Sequence, residues 1–479
     1  MDTGLARHLP PDIHLQGVPV TTATRVVPLV LGRRTITSAS ALLVLSAFFA
    51  CTTLFLTVAA GAWMFFQTPP SPDPDLQGMD AMYKFLASFA TILLIIPAST
   101  LASASATLSA RRQDERLSTM SLLGARRSAI VALAVAEPLV PAICGIVLGV
   151  LGYLGLAWPV SFIHFMGEPI GYANMLMPAW LVAAVIVFLI LVCIASALIG
   201  LRKVAISPLG VRTKALERKF PLARVIIAVL LILALPVALS VSQAGGLGIG
   251  IVLSAIVVVF VLGLLVVDLV GGLLMRWFAY ISGNRAATPA KLIAARLVSD
   301  DPKRFWRRVS GVAMTAFVAA VGGTGIALMQ LGMSTADDPD VAMAPEQMHL
   351  LQDIFTGVLL VLGISILLIA VSALINQVAD IYDRADTFQD LYAAGMEPGT
   401  MHRAMVRAVI GPVIWVSLLA GGLGLLLVLP LAGAALVFKP VTFLTILAAV
   451  VLGVLIIRLG LQVAKPILVS VATAGRSRD

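Results

Sequence analysis

The sequence predicts an all-α polytopic membrane protein. Hydrophobic residues occupy 60% of its 479 positions, charged residues only 12%, and the mean hydropathy is +1.03. Water-soluble globular domains carry about 25% charged residues, so this composition excludes them. The chain also lacks the alternating ten-residue segments that are typical of a transmembrane β-barrel. Because a span must satisfy its backbone hydrogen bonds within lipid, we predict helices.

Ten stretches are long enough to cross the hydrocarbon core. A helix needs about 20 apolar residues for this, because it rises about 1.5 Å per residue and the core is about 30 Å thick. The fifth and sixth stretches lie so close together that we predict a hairpin. The predicted spans are residues 38–66, 82–109, 129–157, 177–201, 224–243, 246–275, 309–332, 351–377, 404–430 and 442–464.

The distribution of basic residues predicts the orientation. Lys and Arg accumulate in cytoplasmic loops. With the N-terminus inside, all of the 33 basic residues except Lys84 and Lys439 fall on or near the cytoplasmic face. Ten spans then place both termini in the cytoplasm. Residues 1–24 do not have a basic start followed by an apolar core, so we expect a cytoplasmic tail and no signal peptide.

A constant sequence offset relates the two halves of the chain. It places Gly124 on Gly395 and, without a gap, Pro141 on Pro412, and we call it the repeat offset. Spans one to three then lie over spans seven to nine, and span four lies over span ten. Each half has four spans and the linker has two, so both halves enter the membrane in the same orientation. We predict two parallel four-helix repeats joined by a two-helix linker.

Each repeat also contains a short polar helix on its cytoplasmic side. Such an amphipathic helix either lies on lipid headgroups or docks in a groove of a soluble partner, and the residues alone leave both roles open. Its apolar positions recur at helical spacing and are Leu117, Met120 and Leu123 in the first repeat and Phe388, Leu391 and Ala394 in the second. The predicted organisation is a tail at 1–24, a first unit at 25–205 with its polar helix near 111–127, a linker at 206–285, a second unit at 286–470 with its polar helix near 382–398, and a tail at 471–479.

The first polar helix and the span after it carry a recognisable pattern. Arg112, Glu115 and Leu117 are followed by the sequence LLGA, Arg126 and then Glu137 before a glycine-rich span. This pattern resembles that of FtsX-like permeases, the membrane subunits of MacB- and BceB-type ABC transporters. The ten-span layout with two units in one chain is similar to the BceB-type branch.

The chain also departs from that family. The second unit has Asp386 where the first has Glu115, and Ala408 where the first has Glu137. The loops between spans are too short for the large extracytoplasmic domain that members of either branch carry. A direct transfer of the antibiotic-sensing role to this chain is therefore not expected.

The resemblance implies that the polar helices are coupling helices that insert into ATPase subunits. We expect two ATPase copies per chain, with ATP and magnesium bound by the ATPase and no cofactor on this chain. The resemblance also implies mechanotransmission across a bacterial plasma membrane, among membrane lipids. The expected coupling residues are Arg112, Glu115, Leu117, Met120, Leu123, Gly124, Ala125 and Arg126 in the first unit and Asp386, Phe388, Leu391, Ala394, Gly395 and Met396 in the second.

The sequence itself offers no catalytic motif. It contains no P-loop for phosphate binding, no zinc-binding pattern and no defensible Ser-His-Asp arrangement, so we expect neither an enzyme nor a metal site, and no nucleic-acid partner. Charges within predicted spans are candidate functional residues, namely Glu137, Asp268 and Arg407. Two roles stay open for Asp268. It either pairs with another group within the bundle, where Arg276 lies about two turns away, or it transfers a proton.

Small residues predict where helices approach closely. Span three places Gly145, Gly149, Gly152 and Gly155 along one side. Glycines at such spacing allow helix backbones to come together in a membrane. We therefore expect this side of span three to face another helix.

Three functions remain open at this level. The first is the permease subunit of an ABC transporter that exports or extracts a hydrophobic or amphipathic compound, such as an antimicrobial peptide or a lipid-like molecule. The second is an ion- or proton-coupled secondary transporter that uses Asp268 and Glu137. The third is an FtsX-type signalling device that controls a partner on the outer surface.

Overall fold

A computed structural model describes residues 39–68, 74–112, 127–205, 249–334, 345–438 and 440–473. The predicted fifth span at 224–243 and most of the first polar helix, near 111–127, lie outside these ranges. So do the tail at 1–24 and most of the tail at 471–479. Nearly all described residues are helical, as an apolar chain that must satisfy its own backbone in lipid requires.

Within the described residues, the first half contains four long helices and one small β-hairpin. The helices are α1 (Ala39–Gln67), α2 (Pro74–Arg112), α3 (Arg127–Val160) and α4 (Ala179–Ala205). Between α3 and α4, strands β1 (His164–Phe165) and β2 (Glu168–Pro169) pair antiparallel, with His164 opposite Pro169. The sequence analysis did not predict this hairpin.

In the second half, taken together with the linker helix at its start, the structure describes eight helices. Five of them start at a proline, whose fixed φ and missing N–H suit the first helical position. They are α5 (Ile249–Asn284), α6 (Pro289–Asp300), α7 (Pro302–Ser334), α8 (Pro345–Asp383), α9 (Ala385–Ala393), α10 (Pro398–Phe438), α11 (Pro440–Gln462) and α12 (Lys465–Thr473).

Among the described residues, eight helices are long and apolar enough to cross a membrane. They correspond to eight of the ten predicted spans, and the chain is a multi-pass membrane protein. The predicted seventh span falls in α7, whose described apolar stretch Val309–Thr324 is shorter than the others. The count of ten and the cytoplasmic position of both termini stay predictions.

Two pairs of helix starts coincide under the repeat offset, while the repeat itself stays a prediction. Helices α2 and α8 each contain 39 residues, and the offset places the first residue of α2, Pro74, on the first residue of α8, Pro345. It also places Arg127, where α3 begins, on Pro398, where α10 begins. The short helix α9 precedes α10, as the second polar helix was predicted to do.

Helices α2 and α8 join the two halves. The core of the first half is built from α1 to α4 and also takes in Leu368 and Ile375 of α8. The core of the second half is built from α5, α6, α7, α8, α10 and α11 and takes in Leu93 of α2. Each of these two helices therefore contributes side chains to both cores.

Glycines allow α1 and α3 to pack closely, as the sequence predicts. A side chain at Gly145, Gly149 or Gly152 would collide with α1, and the Thr53 hydroxyl of α1 donates a hydrogen bond of 3.1 Å to the Gly149 carbonyl. Gly155 differs, since no atom lies within 4 Å of its missing side chain. Three of the four predicted positions thus face a neighbouring helix.

Candidate functional site

The candidate site is the short helix α9, which connects two long helices of the second half. It follows the end of α8 at Asp383 and precedes the start of α10 at Pro398. Arg384 lies between α8 and α9 with φ −119° and ψ 27°, so the chain turns there. The half-buried Arg384 guanidinium lies 3.9 Å from the exposed Asp300 carboxylate at the end of α6, and such a surface pair contributes little stability.

One face of α9 packs against the protein. Phe388 is only 6% exposed and lies in a core cluster with Met401 and Met405 of α10 and Leu468 of α12. The Gln389 side-chain amide donates a hydrogen bond of 3.3 Å to a backbone carbonyl of α12, that of Val471. Helix α9 is therefore held between α10 and the C-terminal helix α12.

The opposite face of α9 is exposed and acidic. Asp386 and Asp390, one turn apart, are both exposed, and Glu397 in the turn before α10 is exposed as well. Small or polar residues fill the space between them, namely Thr387, Ala393 and Ala394. Asp386 also lies in the first turn, where a negative charge is favourable to the helix dipole. We call Asp386, Thr387, Asp390, Ala393, Ala394 and Glu397 the acidic face.

A glycine ends α9 and directs the chain into α10. Gly395 has φ +89°, and its N–H donates to the Tyr392 carbonyl at 2.9 Å, while the N–H of Met396 donates to the Leu391 carbonyl at 2.9 Å. These two bonds form a Schellman motif, in which an apolar contact between the third-last helical residue and the residue after the glycine is common. Leu391 and Met396 both pack on the same core cluster as Phe388.

Replacing Gly395 by Ala is expected to destabilise this corner by about 1 kcal/mol, because the left-handed conformation clashes with a Cβ atom. The measurement is the midpoint of thermal unfolding of the purified protein. Gly399→Ala is the control, since Gly399 lies in the first turn of α10 and its new Cβ would meet only the end of the exposed Glu397 side chain. Equal midpoints for the two variants would contradict this account of the turn.

The structure separates the predicted coupling residues of the second unit into two groups. Asp386, Ala394 and Gly395 are exposed, whereas Phe388 is buried and Leu391 and Met396 are half-buried against the protein. In the first unit, Arg112 is the last residue of α2. The other predicted coupling residues lie outside the described ranges and are Glu115, Leu117, Met120, Leu123, Gly124, Ala125 and Arg126.

The charged residues predicted within spans have different surroundings. The Asp268 carboxylate of α5 accepts a hydrogen bond of 2.9 Å from the indole N–H of Trp306 in α7. Among the described residues its partner is therefore this indole, and no ion pair joins it to Arg276. The Arg407 guanidinium of α10 is exposed and donates to the Thr288 hydroxyl before α6 at 3.3 Å. Glu137 is half-buried in α3.

Two hydrogen bonds that involve side chains of the second half were not predicted. His402 of α10, which is 4% exposed, hydrogen-bonds through Nε2 to the Gln462 side chain at the end of α11, at 3.1 Å. Asp353 of α8 accepts a hydrogen bond of 2.7 Å from the Tyr83 hydroxyl of α2. The only sequence signal for the second contact is an acidic residue within predicted span eight. Within the described ranges, no group of three His, Cys, Asp or Glu residues is arranged to hold a metal ion.

Comparison with known proteins finds a match to one protein family. No curated protein matches the chain. Residues 87–209, which contain most of α2 and the whole of α3, the β-hairpin and α4, match the family model described as FtsX-like permease C-terminal. The match supports the resemblance to FtsX-like permeases and does not distinguish the MacB-type from the BceB-type branch. In this part of its length, the chain is similar to the FtsX-like permeases.

Proposed function

We propose that the chain is the permease subunit of an ABC transporter and is driven by a separate ATPase. The observation that carries the proposal is the position of α9, whose apolar face is fixed on α10 and α12 while its acidic face is free to meet a soluble protein. A helix that only lay on lipid headgroups would present apolar residues to the membrane. The exposed residues of α9 are instead acidic, small or polar.

The packing of α9 offers a route for movement into the membrane. Phe388 shares a core cluster with Met401 and Met405 of α10, so a displacement of α9 would be passed to the start of α10 through this cluster. Helix α10 has 41 residues and is about 60 Å long at about 1.5 Å per residue. The bond between His402 and Gln462 links it to α11 at the same end. Rigid helices of this kind transmit rotation or shear between distant ends.

The predicted repeat extends the proposal to a second docking site. By the repeat offset, the segment before α3 corresponds to α9, and Met120, Gly124 and Ala125 correspond to Leu391, Gly395 and Met396. With both units in the same orientation, the two segments would bind two ATPase copies side by side on the cytoplasmic face. ATP and magnesium would bind to those ATPase copies.

The substrate proposed from the family resemblance is a hydrophobic or amphipathic compound, such as an antimicrobial peptide or a lipid-like molecule. The proposed site of action is a bacterial plasma membrane. A proton-coupled transporter is less well supported, because the Asp268 carboxylate already accepts a hydrogen bond from Trp306. An FtsX-type signalling device that acts on an outer partner would retain the same coupling helices.

Co-purification with a candidate ABC ATPase from the same organism tests the proposed function. The two proteins would be expressed together, reconstituted in lipid nanodiscs and weighed by native mass spectrometry. We expect two ATPase copies per permease chain and faster ATP hydrolysis than by the ATPase alone. A permease that binds no ATPase under these conditions would contradict the assignment to ABC transporters.

A further inference from the structure

A single buried carboxylate joins the two halves at the end of the bundle remote from α9. This end, where α2 and α8 begin and the β-hairpin lies, is called the hairpin end. Asp353 of α8 is only 6% exposed. One of its oxygens, Oδ2, accepts two hydrogen bonds of 2.7 Å, from the Tyr83 hydroxyl of α2 and from the backbone N–H of Met166 in the hairpin turn. Both donors belong to the first half, whereas Asp353 belongs to the second.

The two donors are held in place by their own half. The Tyr83 ring stacks on Phe65 of α1 with ring centres 5.2 Å apart, and Phe65 also contacts Phe165 of the hairpin edge-on at 5.8 Å. Met166 and Gly167 have φ of 56° and 81°, the left-handed pair that a type I′ turn needs. Positive φ is uncommon for a residue such as Met166. Its N–H is thereby directed at Asp353.

The contact between α2 and α8 changes character along its length. At the hairpin end it includes the hydrogen bond between Tyr83 and Asp353, whereas nearer the middle Leu94 and Leu101 of α2 share a core with Leu368 and Ile375 of α8. Water can replace the partners of a hydroxyl, an amide and a carboxylate once these separate, but it cannot solvate apolar side chains favourably. Separation of the halves is therefore least costly at the hairpin end.

We propose that Tyr83, the Met166 N–H and Asp353 form a latch that keeps the hairpin end closed, and that breaking it is the step by which this end opens to water. The repeat offset places Ile354 on Tyr83 and Met82 on Asp353, so the predicted repeat does not supply a second copy of the latch. The latch is thus a one-sided device in a chain of two similar halves. It goes beyond the proposed function, because it requires no ATPase.

Cysteine labelling in lipid nanodiscs tests the latch. Ala87 lies one turn from Tyr83 on the same side of α2 and is 9% exposed, so Ala87→Cys reports opening next to the latch. Cys144 is exposed and is replaced by Ala, while Cys51 and Cys193 are buried and are kept. The probe is a water-soluble maleimide. Tyr83→Phe is expected to raise the labelling rate about tenfold, the scale for losing one hydrogen bond to a charged group.

Tyr153→Phe is the matched control. The Tyr153 hydroxyl is also buried at the hairpin end, but it bonds only to the backbone of Met175 and Met177 in its own half. We expect this variant to label at the wild-type rate. An unchanged rate for Tyr83→Phe, or an equal increase for Tyr153→Phe, would overturn the latch. Because the assay contains no ATPase, either result leaves the proposed function to its own test.

Discussion

Reversing the charge of the acidic face, with Asp386→Lys and Asp390→Lys together, is expected to reduce the number of ATPase copies per permease chain from two to one. Both carboxylates are exposed and lie one turn apart on the side of α9 that faces away from the protein. We expect the ATPase surface that meets the acidic face to be basic, and like charges brought together at an interface cost several kcal/mol. The docking segment of the first unit is unchanged, so one copy should remain.

Native mass spectrometry of the co-purified complex measures the number of copies, and ATP hydrolysis in lipid should fall with it. Glu168→Lys is the control, because Glu168 is an exposed acid at the hairpin end, on the opposite side of the membrane from the proposed docking site. It should leave two copies bound. A double variant that keeps both copies while its thermal unfolding matches the wild type would rule out α9 as a docking helix.

Phe388 has a different role from these acids. It was predicted as a contact to the ATPase, but it is buried among residues of α10 and α12. In the proposed function it positions α9 and transmits its movement. An apolar side chain on an amphipathic helix indicates that it will be buried, but the sequence does not show whether another part of the chain or a partner protein covers it. Here the protein's own C-terminal helix α12 covers it.

Helix α12 shows why the packing around α9 could not be predicted. The sequence predicts span ten at 442–464 and a tail from 471, and these limits leave no separate helix between them. The chain instead breaks after Gln462 and forms α12 from Lys465 to Thr473. Lys465 and Pro466 interrupt the apolar pattern, but Leu468 and Val471 resume it within a few residues, so average hydropathy alone does not reveal a separate helix.

Long apolar helices were predicted well because the thickness of the membrane fixes their length. Gly395 and Pro398 are strong signals for a helix end and a helix start, although the polar helix was predicted to extend to about 398 and span nine to begin at about 404. Contacts between distant parts of the chain could not be predicted from the sequence. For Asp268 the sequence left open pairing within the bundle and proton transfer, and it could not name the partner Trp306, which lies 38 positions further along the chain.

Trp306 also carries the last prediction, which concerns how the linker helix is fixed to the second unit. The indole is 5% exposed, and its ring lies directly against the backbone of α5 at Gly271, where a Cβ atom would overlap three atoms of the ring. Gly271→Ala is therefore expected to destabilise the protein by roughly 1–3 kcal/mol or more, the cost of overpacking a filled core. A lower midpoint of thermal unfolding measures the effect.

The neighbouring glycine provides the control. A Cβ atom on Gly272 would meet only the Lys303 side chain, at 3.9 Å, which is ordinary contact. Gly272→Ala should be neutral or stabilising, because Ala favours a helix over Gly by about 1 kcal/mol. In a Trp306→Leu background the smaller side chain leaves room at position 271, so Gly271→Ala should cost less there than in the wild type. If Gly271→Ala and Gly272→Ala unfold alike, the indole does not hold α5 against α7 through Gly271, and the bond to Asp268 alone would have to fix the linker helix.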